Sequence, residues 1–125
     1  MTPDGSGRVS VRLEWGGEIF ERTVPCLETQ QSLLNAVAQA TLRATLASRP
    51  QNGDMHRLSL EVVGVKAFRA FDGWVVVTRL LGTRGTERMR LLGAAPCETE
   101  EDLPGAAVKA VLNASNRVME NPAAR

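Results

Sequence analysis

The dipeptide Pro-Cys occurs twice, at Pro25–Cys26 and Pro96–Cys97, and each copy leads into an alanine-rich stretch with helical spacing. Ala36, Ala40, Leu42 and Ala44 of the first stretch recur seventy residues later as Ala106, Ala110, Leu112 and Ala114. Upstream of each Pro-Cys pair, apolar and polar residues alternate on both sides of a glycine-containing turn, the period of half-buried antiparallel strands. The chain therefore reads as two pseudo-repeated hairpin-plus-helix units. Units of this kind stack with both helices on one sheet face, which gives an α+β two-layer sandwich of order ββαβββα.

The first hairpin is legible residue by residue. Val9, Val11, Leu13 and Trp15 alternate with Arg8, Ser10, Arg12 and Glu14, and Gly16-Gly17 supplies a two-residue turn. The register that follows sets Trp15 opposite Glu18, Leu13 opposite Phe20, Val11 opposite Arg22 and Val9 opposite Val24. Its inner face is Val9, Val11, Leu13, Phe20 and Val24. Residues 25–28 are expected to link this hairpin to a helix from about Thr29 to Ala47, capped by Thr29. Leu33, Leu34, Val37, Ala38, Thr41, Leu42 and Thr45 give that helix its apolar face.

After a Pro/Asn/Gly-containing loop at 48–54, Leu58, Leu60 and Val62 begin a third strand, which Gly64 interrupts as a bulge before Val65 and Ala67 continue it. Asp72-Gly73 signals a turn, Trp74 to Leu81 a strongly apolar strand, and Gly82 to Gly85 a four-residue turn into a strand over about 86–94. The last helix spans Asp102 to Met119, with Asp102 as N-cap and Pro104 in the first turn. Its stripe of Leu103, Ala107, Ala110, Val111, Ala114 and Val118 is mostly small, so it can lie close to the sheet. One domain over 8–120 with flexible tails at 1–7 and 121–125 accounts for the whole pattern.

The two faces of the second hairpin differ from an ordinary half-buried sheet. Trp74, Val76, Thr78, Leu80, Met89 and Leu91 share one face; Val75, Val77, Arg79, Leu81, Arg88, Arg90 and Leu92 share the other. The second set is too apolar to stay in water, because burying each Val or Leu contributes roughly 1.5–3 kcal/mol. A second copy of the chain is expected to cover it in a homodimer, through Val75, Val77, Leu81 and Leu92. Arg79, Arg88 and Arg90 lie among these residues, with Arg84 at the turn, and guanidinium groups so placed suit a small carboxylate or phosphate.

Little else in the chain carries chemistry. His56 is the single histidine and falls in a loop beside Asp54. Cys26 and Cys97 stand at equivalent positions of the repeat without histidine partners, a poor metal set, and are expected as buried, reduced thiols, with a reversible disulfide between them as the alternative. Glu98, Glu100, Glu101 and Asp102 complement a helix N-terminus. No cofactor, metal or catalytic residue is expected, and the chain reads as a non-enzyme.

Fifteen basic and fourteen acidic residues leave a net charge of +1, which offers no global attraction to nucleic acid or an acidic membrane. The order helix, three strands, helix also occurs in double-stranded-RNA-binding domains, but those begin their last helix with lysines, and here that segment is Glu98-Thr99-Glu100-Glu101-Asp102. No apolar run reaches the roughly 18–20 residues of a membrane span, and a cytoplasmic setting is expected. Arginine outnumbers lysine, with Lys66 and Lys109 the two lysines, a bias that fits a GC-rich bacterial coding sequence.

In the closing helix, Val111, Leu112, Ala114, Asn116 and Arg117, preceded by Ala106-Ala107, resemble the last helix of the regulatory domain of 2-isopropylmalate synthases. The resemblance implies an internally repeated strand-and-helix module that dimerises and binds a small effector. A homodimeric, non-catalytic ligand-binding or regulatory module, able to act alongside a separate protein partner, is the function expected; a purely structural assembly module is the alternative.

Overall fold

The computed structural model describes residues 6–27, 29–47 and 58–119. Its order is β1 (Ser6–Trp15), β2 (Glu18–Leu27), α1 (Gln30–Ala47), β3 (Leu58–Ala70), β4 (Gly73–Arg84), β5 (Glu87–Cys97), a 3-10 turn (Glu100–Asp102) and α2 (Leu103–Met119). This is the expected α+β order. The strands form two separate antiparallel ladders, β1-β2 and β3-β4-β5, so among the described residues hydrogen bonding within one subunit does not join the halves into one sheet.

The register of the first hairpin is the expected one, with Val9 opposite Val24, Val11 opposite Arg22 and Leu13 opposite Phe20. Pairing continues further than expected at both ends: Ser6 and Gly7 are strand because Leu27 and Cys26 lie opposite them. Pro25 and Cys26 are likewise strand rather than linker. Pro25 can sit there because β2 is an edge strand, where a missing N–H costs no ladder bond. Val9, Val11, Val24 and Cys26 are buried, and Leu13 packs against them. Beyond that the hairpin runs into solvent, with Glu14, Glu18, Ile19, Glu21 and Arg22 exposed.

Thr29 caps α1 as expected: its hydroxyl accepts from the N–H of Ser32 at 3.1 Å, and its carbonyl from that of Leu33 at 2.9 Å. The buried side of α1 is wide, from Leu34 to Thr45, because it packs on β1, β2, β3 and α2. Two hydroxyls lie in this apolar contact. Thr41 and Thr45 satisfy theirs on the carbonyls one turn earlier, Val37 and Thr41, each at 2.7 Å.

The ladder of β3 slips between Val62 and Gly64, so Val63 is an extra, unpaired residue. The bulge expected at Gly64 is therefore present. The buried Thr78 hydroxyl donates to the Gly64 carbonyl at 3.1 Å. Both turns of this sheet sit elsewhere than the sequence suggested. Phe71 and Asp72, with φ of 53° and 62°, form the two-residue turn between Ala70 and Gly73. Gly73 is wanted for another reason: a Cβ there would lie 2.8 Å from the carbonyl oxygen of Cys97. The next turn is Gly85-Thr86 rather than Gly82 to Gly85, since β-pairing persists to Arg84 opposite Glu87.

The helical run at the end starts one turn before Asp102. Thr99 occupies the cap position of the 3-10 turn, and its hydroxyl donates to the Asp102 carboxylate at 3.0 Å. Asp102 is thus inside the first turn, not its cap. The small stripe of α2 meets a glycine: a Cβ on Gly93 of β5 would fall 2.0 Å from the Ala110 carbonyl oxygen and 2.6 Å from the Ala114 nitrogen. Close helix-on-sheet approach is built from both surfaces at once.

The repeat holds in three dimensions. Buried Ala36, Val37, Ala40, Thr41, Ala44 and Thr45 of α1 match buried Ala106, Ala107, Ala110, Val111, Ala114 and Ser115 of α2. Val9, Val11 and Leu13 of β1 match Val76, Thr78 and Leu80 of β4, and Val24 and Cys26 match Ala95 and Cys97. The second hairpin is longer than the first, with β4 and β5 both outrunning their counterparts. One hydrophobic core takes residues from both units, with both helices on the inner side.

Candidate functional site

The outer face of β3-β4-β5 is a grid of outward-pointing positions. Across the three strands its rows run Phe68, Val75, Pro96; then Lys66, Val77, Ala94; then Gly64, Arg79, Leu92; then Glu61, Leu81, Arg90. Val75, Val77 and Leu81 are half-buried, while Val63, Phe68 and Leu92 keep 58%, 49% and 59% of their surface in water. The residues expected to meet a second copy are therefore together on one surface that no described element covers. The shifted turn did not disturb this, because moving it by an even number of positions leaves every side chain on its own face.

A groove of about 470 Å³ is cut into this surface beside the bulge of β3. Val63, Phe68, Val77 and Leu92 form its apolar wall, Lys66 and Arg79 supply two cations, and Gln31 and Asn35 of α1 close one side. No carboxylate is among the described lining residues. Gln31 is held there by its own bond, its Nε2 donating to the Val65 carbonyl of β3 at 2.8 Å. The bulge borders the groove: β3 absorbs Val63 as an extra residue, so Leu60 points inward before it and Val65 after it, while Lys66 and Phe68 face outward.

Of the three arginines expected to form an anion site, the groove takes Arg79 alone. Arg90 is diagonal to it, opposite Leu81, and Arg88 is further along, opposite Thr83. Both extend the positive face without lining the groove. Lys66 was missed because it and Arg79 are brought together only by the β3-β4 register, in which Lys66 faces Val77 and Gly64 faces Arg79. The bulge signal at Gly64 was the single clue to that pairing.

The tip of the β3-β4 hairpin is the other unusual part of this face. Phe71 is 99% exposed and has a positive φ. A bulky aromatic in the left-handed region costs of order 1–3 kcal/mol, and two-residue turns of this kind ordinarily use Asn and Gly. Below the tip, Arg69 lies over the ring of Trp74, 5.4 Å from its centroid, and stiffens the stem.

Cys26 is buried on β2 and Cys97 half-buried at the end of β5, and neither is in a disulfide. Burial, and then the nearby Asp102 carboxylate, push the Cys97 thiol above its ordinary range, so it stays protonated at neutral pH. Its Sγ–H points to the Thr99 carbonyl at 3.4 Å. His56 and Asp54 lie outside the described residues, as do residues 1–5 and 121–125 of the expected tails.

Among the described residues no three His, Cys, Asp or Glu side chains are grouped to hold a metal ion, and no helix is long and apolar enough to cross a membrane. Comparison with protein-family models, with curated proteins and with solved structures returns no match.

Proposed function

We propose that this chain is a non-catalytic regulatory module that pairs with a second copy through the outer face of β3-β4-β5 and takes a small organic carboxylate in the groove on that face. The observation that carries the reading is the groove lining: two cations and two carboxamides beside an apolar wall, with no acidic side chain among the described residues to neutralise the cations. A carboxylate head would meet Lys66 and Arg79, and an apolar body would meet Val77 and Leu92. The resemblance of the last helix to an effector-binding domain points the same way, although Val111 and Ala114 of that pattern are buried in packing. Thermal-shift measurements against a panel of amino and organic acids test the reading. A hit is expected that disappears in Arg79→Ala and weakens in Lys66→Ala, whereas Arg88→Ala has a smaller effect through the general field. A panel with no hit, or a hit indifferent to Arg79, removes the ligand from the proposal.

A structural assembly module is the second reading, favoured by the exposed Val63, Phe68 and Leu92. It predicts an oligomer that ignores the panel and dissociates in Val77→Glu.

A further inference from the structure

We infer that in the dimer the groove of each copy is filled by the hairpin tip of the other: Phe71 of the partner subunit enters the apolar wall, and Asp72 of the partner subunit meets Lys66 and Arg79. This rests on the reading that the outer face is where copies meet, and makes the two occupants of the groove alternatives: the partner's tip holds it in the dimer, and a small carboxylate takes it in the separated copies.

Three observations converge. The first is chemical complementarity. The tip offers an aromatic ring followed by a carboxylate, and the groove offers Val77 and Leu92 followed by Lys66 and Arg79, without any carboxylate among its described residues to repel the tip. The second is the conformation of the tip. Phe71 and Asp72 hold positive φ, and Phe71 is 99% exposed, so the single chain carries a strained backbone that its own contacts do not offset. A side chain presented in this way on a stem stiffened by the Arg69–Trp74 contact is set out before the partner arrives.

The third is spacing. Tip and groove lie on the same hairpin, and from Phe71 back to Lys66 along β3 is roughly 16 Å of strand. Between them the outward row is Phe68, Val75 and Pro96, with no charge in it. A two-fold axis through that row makes the two hairpins overlap in opposite directions. Each tip then reaches the other copy's cations, and the apolar row packs on itself. The same placement keeps the two copies of Arg79 apart, which an axis through the middle of the sheet would bring face to face. One operation thus satisfies two tips and two grooves, as an isologous interface requires.

The test is sedimentation equilibrium and light scattering on the full chain and four variants. Phe71→Asn suits a turn with positive φ, so the variant keeps its circular-dichroism spectrum and melts no lower than the parent when both are diluted to monomer. Its dimer dissociation constant is expected to rise at least about thirtyfold, the loss that a central aromatic anchor produces. Asp72→Lys weakens the dimer, and Arg79→Glu weakens it as well. The two changes in one chain restore it, because the introduced lysine of each copy meets the introduced glutamate of the other across the two-fold. A wild-type dimer that survives Phe71→Asn, or a double variant that is not restored, overturns the exchanged tip and leaves the dimer reading standing. A wild-type chain that is monomeric at high concentration overturns both, and leaves the groove to a small carboxylate or to another protein.

Discussion

The two hairpins of the repeat agree on the side that faces the helices and disagree on the side that faces away. Inside, Val9, Val11, Val24 and Cys26 correspond to Val76, Thr78, Ala95 and Cys97. Outside, the first hairpin carries Ser10, Arg12, Glu14, Glu21 and Thr23, with the Ser10 and Thr23 hydroxyls 2.7 Å apart, and its exposed apolar residues, Ile19 and Leu27, stand apart at opposite ends of β2. The second carries Val75, Val77, Leu81 and Leu92 around its cations. Helix packing dictates the shared side, and nothing described within the subunit dictates the other. A surface that is apolar where its own repeat shows polarity would do is the strongest sign in this molecule of a use beyond folding.

Substitutions at matched positions sharpen or break this contrast. The largest effect is expected at Gly93, whose counterpart in the first hairpin is Arg22. Gly93→Ala drives a methyl into the backbone of α2, and overpacking against backbone should cost about 3 kcal/mol or more, read as a fall in the urea midpoint. Arg22→Ala, at an exposed position, should shift stability by less than about 0.5 kcal/mol. If the two cost the same, the helices do not approach the hairpins as described.

Next in size is Val77→Glu, which should convert the proposed dimer to monomer on size-exclusion chromatography with light scattering. The paired change Ser10→Glu on the outside of the first hairpin should leave the mass unaltered. Smaller again is Thr78→Val: the Gly64 carbonyl at the bulge loses its donor, at about 1 kcal/mol, where the matched Val11 already lacks a hydroxyl.

The smallest effect concerns Cys97. Its thiol holds its proton to higher pH in the folded protein than in the unfolded chain, so the associated stability is complete below the unfolded thiol's pKa and is lost as pH climbs through the folded one. Alkylation by iodoacetamide at neutral pH should be slower than for free cysteine. Asp102→Asn should speed it, by removing the charge that opposes the thiolate. Rapid alkylation of the wild type would mean that burial and Asp102 do not hold the thiol protonated as described.

The fold was legible in the sequence where period and spacing carry it. The first hairpin follows from alternation plus Gly16-Gly17, α1 from its cap at Thr29, and the repeat from the Pro-Cys pairs. Turn positions in the second sheet were less legible because the usual turn residues there serve other ends. Gly73 gives room to Cys97, and Gly82 lies within β4, so the chain turns through Phe71-Asp72 instead. Half of the candidate site could be read, as the outward face with Arg79. Lys66, Gln31 and Asn35 could not, since they reach the groove only through the strand register and a helix lying beside β3.

Val63 gives the chain something that no substitution could. A strand alternates strictly, so its inner and outer sets are fixed for its whole length by the first residue placed; one inserted residue restarts the count. In β3 the even-numbered positions serve the core up to Val62 and the solvent face from Gly64 onward. Deleting Val63 would therefore set Val62 and Gly64 side by side opposite Leu80 and Arg79 and leave Lys66 and Phe68 on the outer face, removing only the bulge and the extra apolar side chain that borders the groove. The candidate site is, in that sense, bordered by a residue that the ladder absorbs without changing the face of any other.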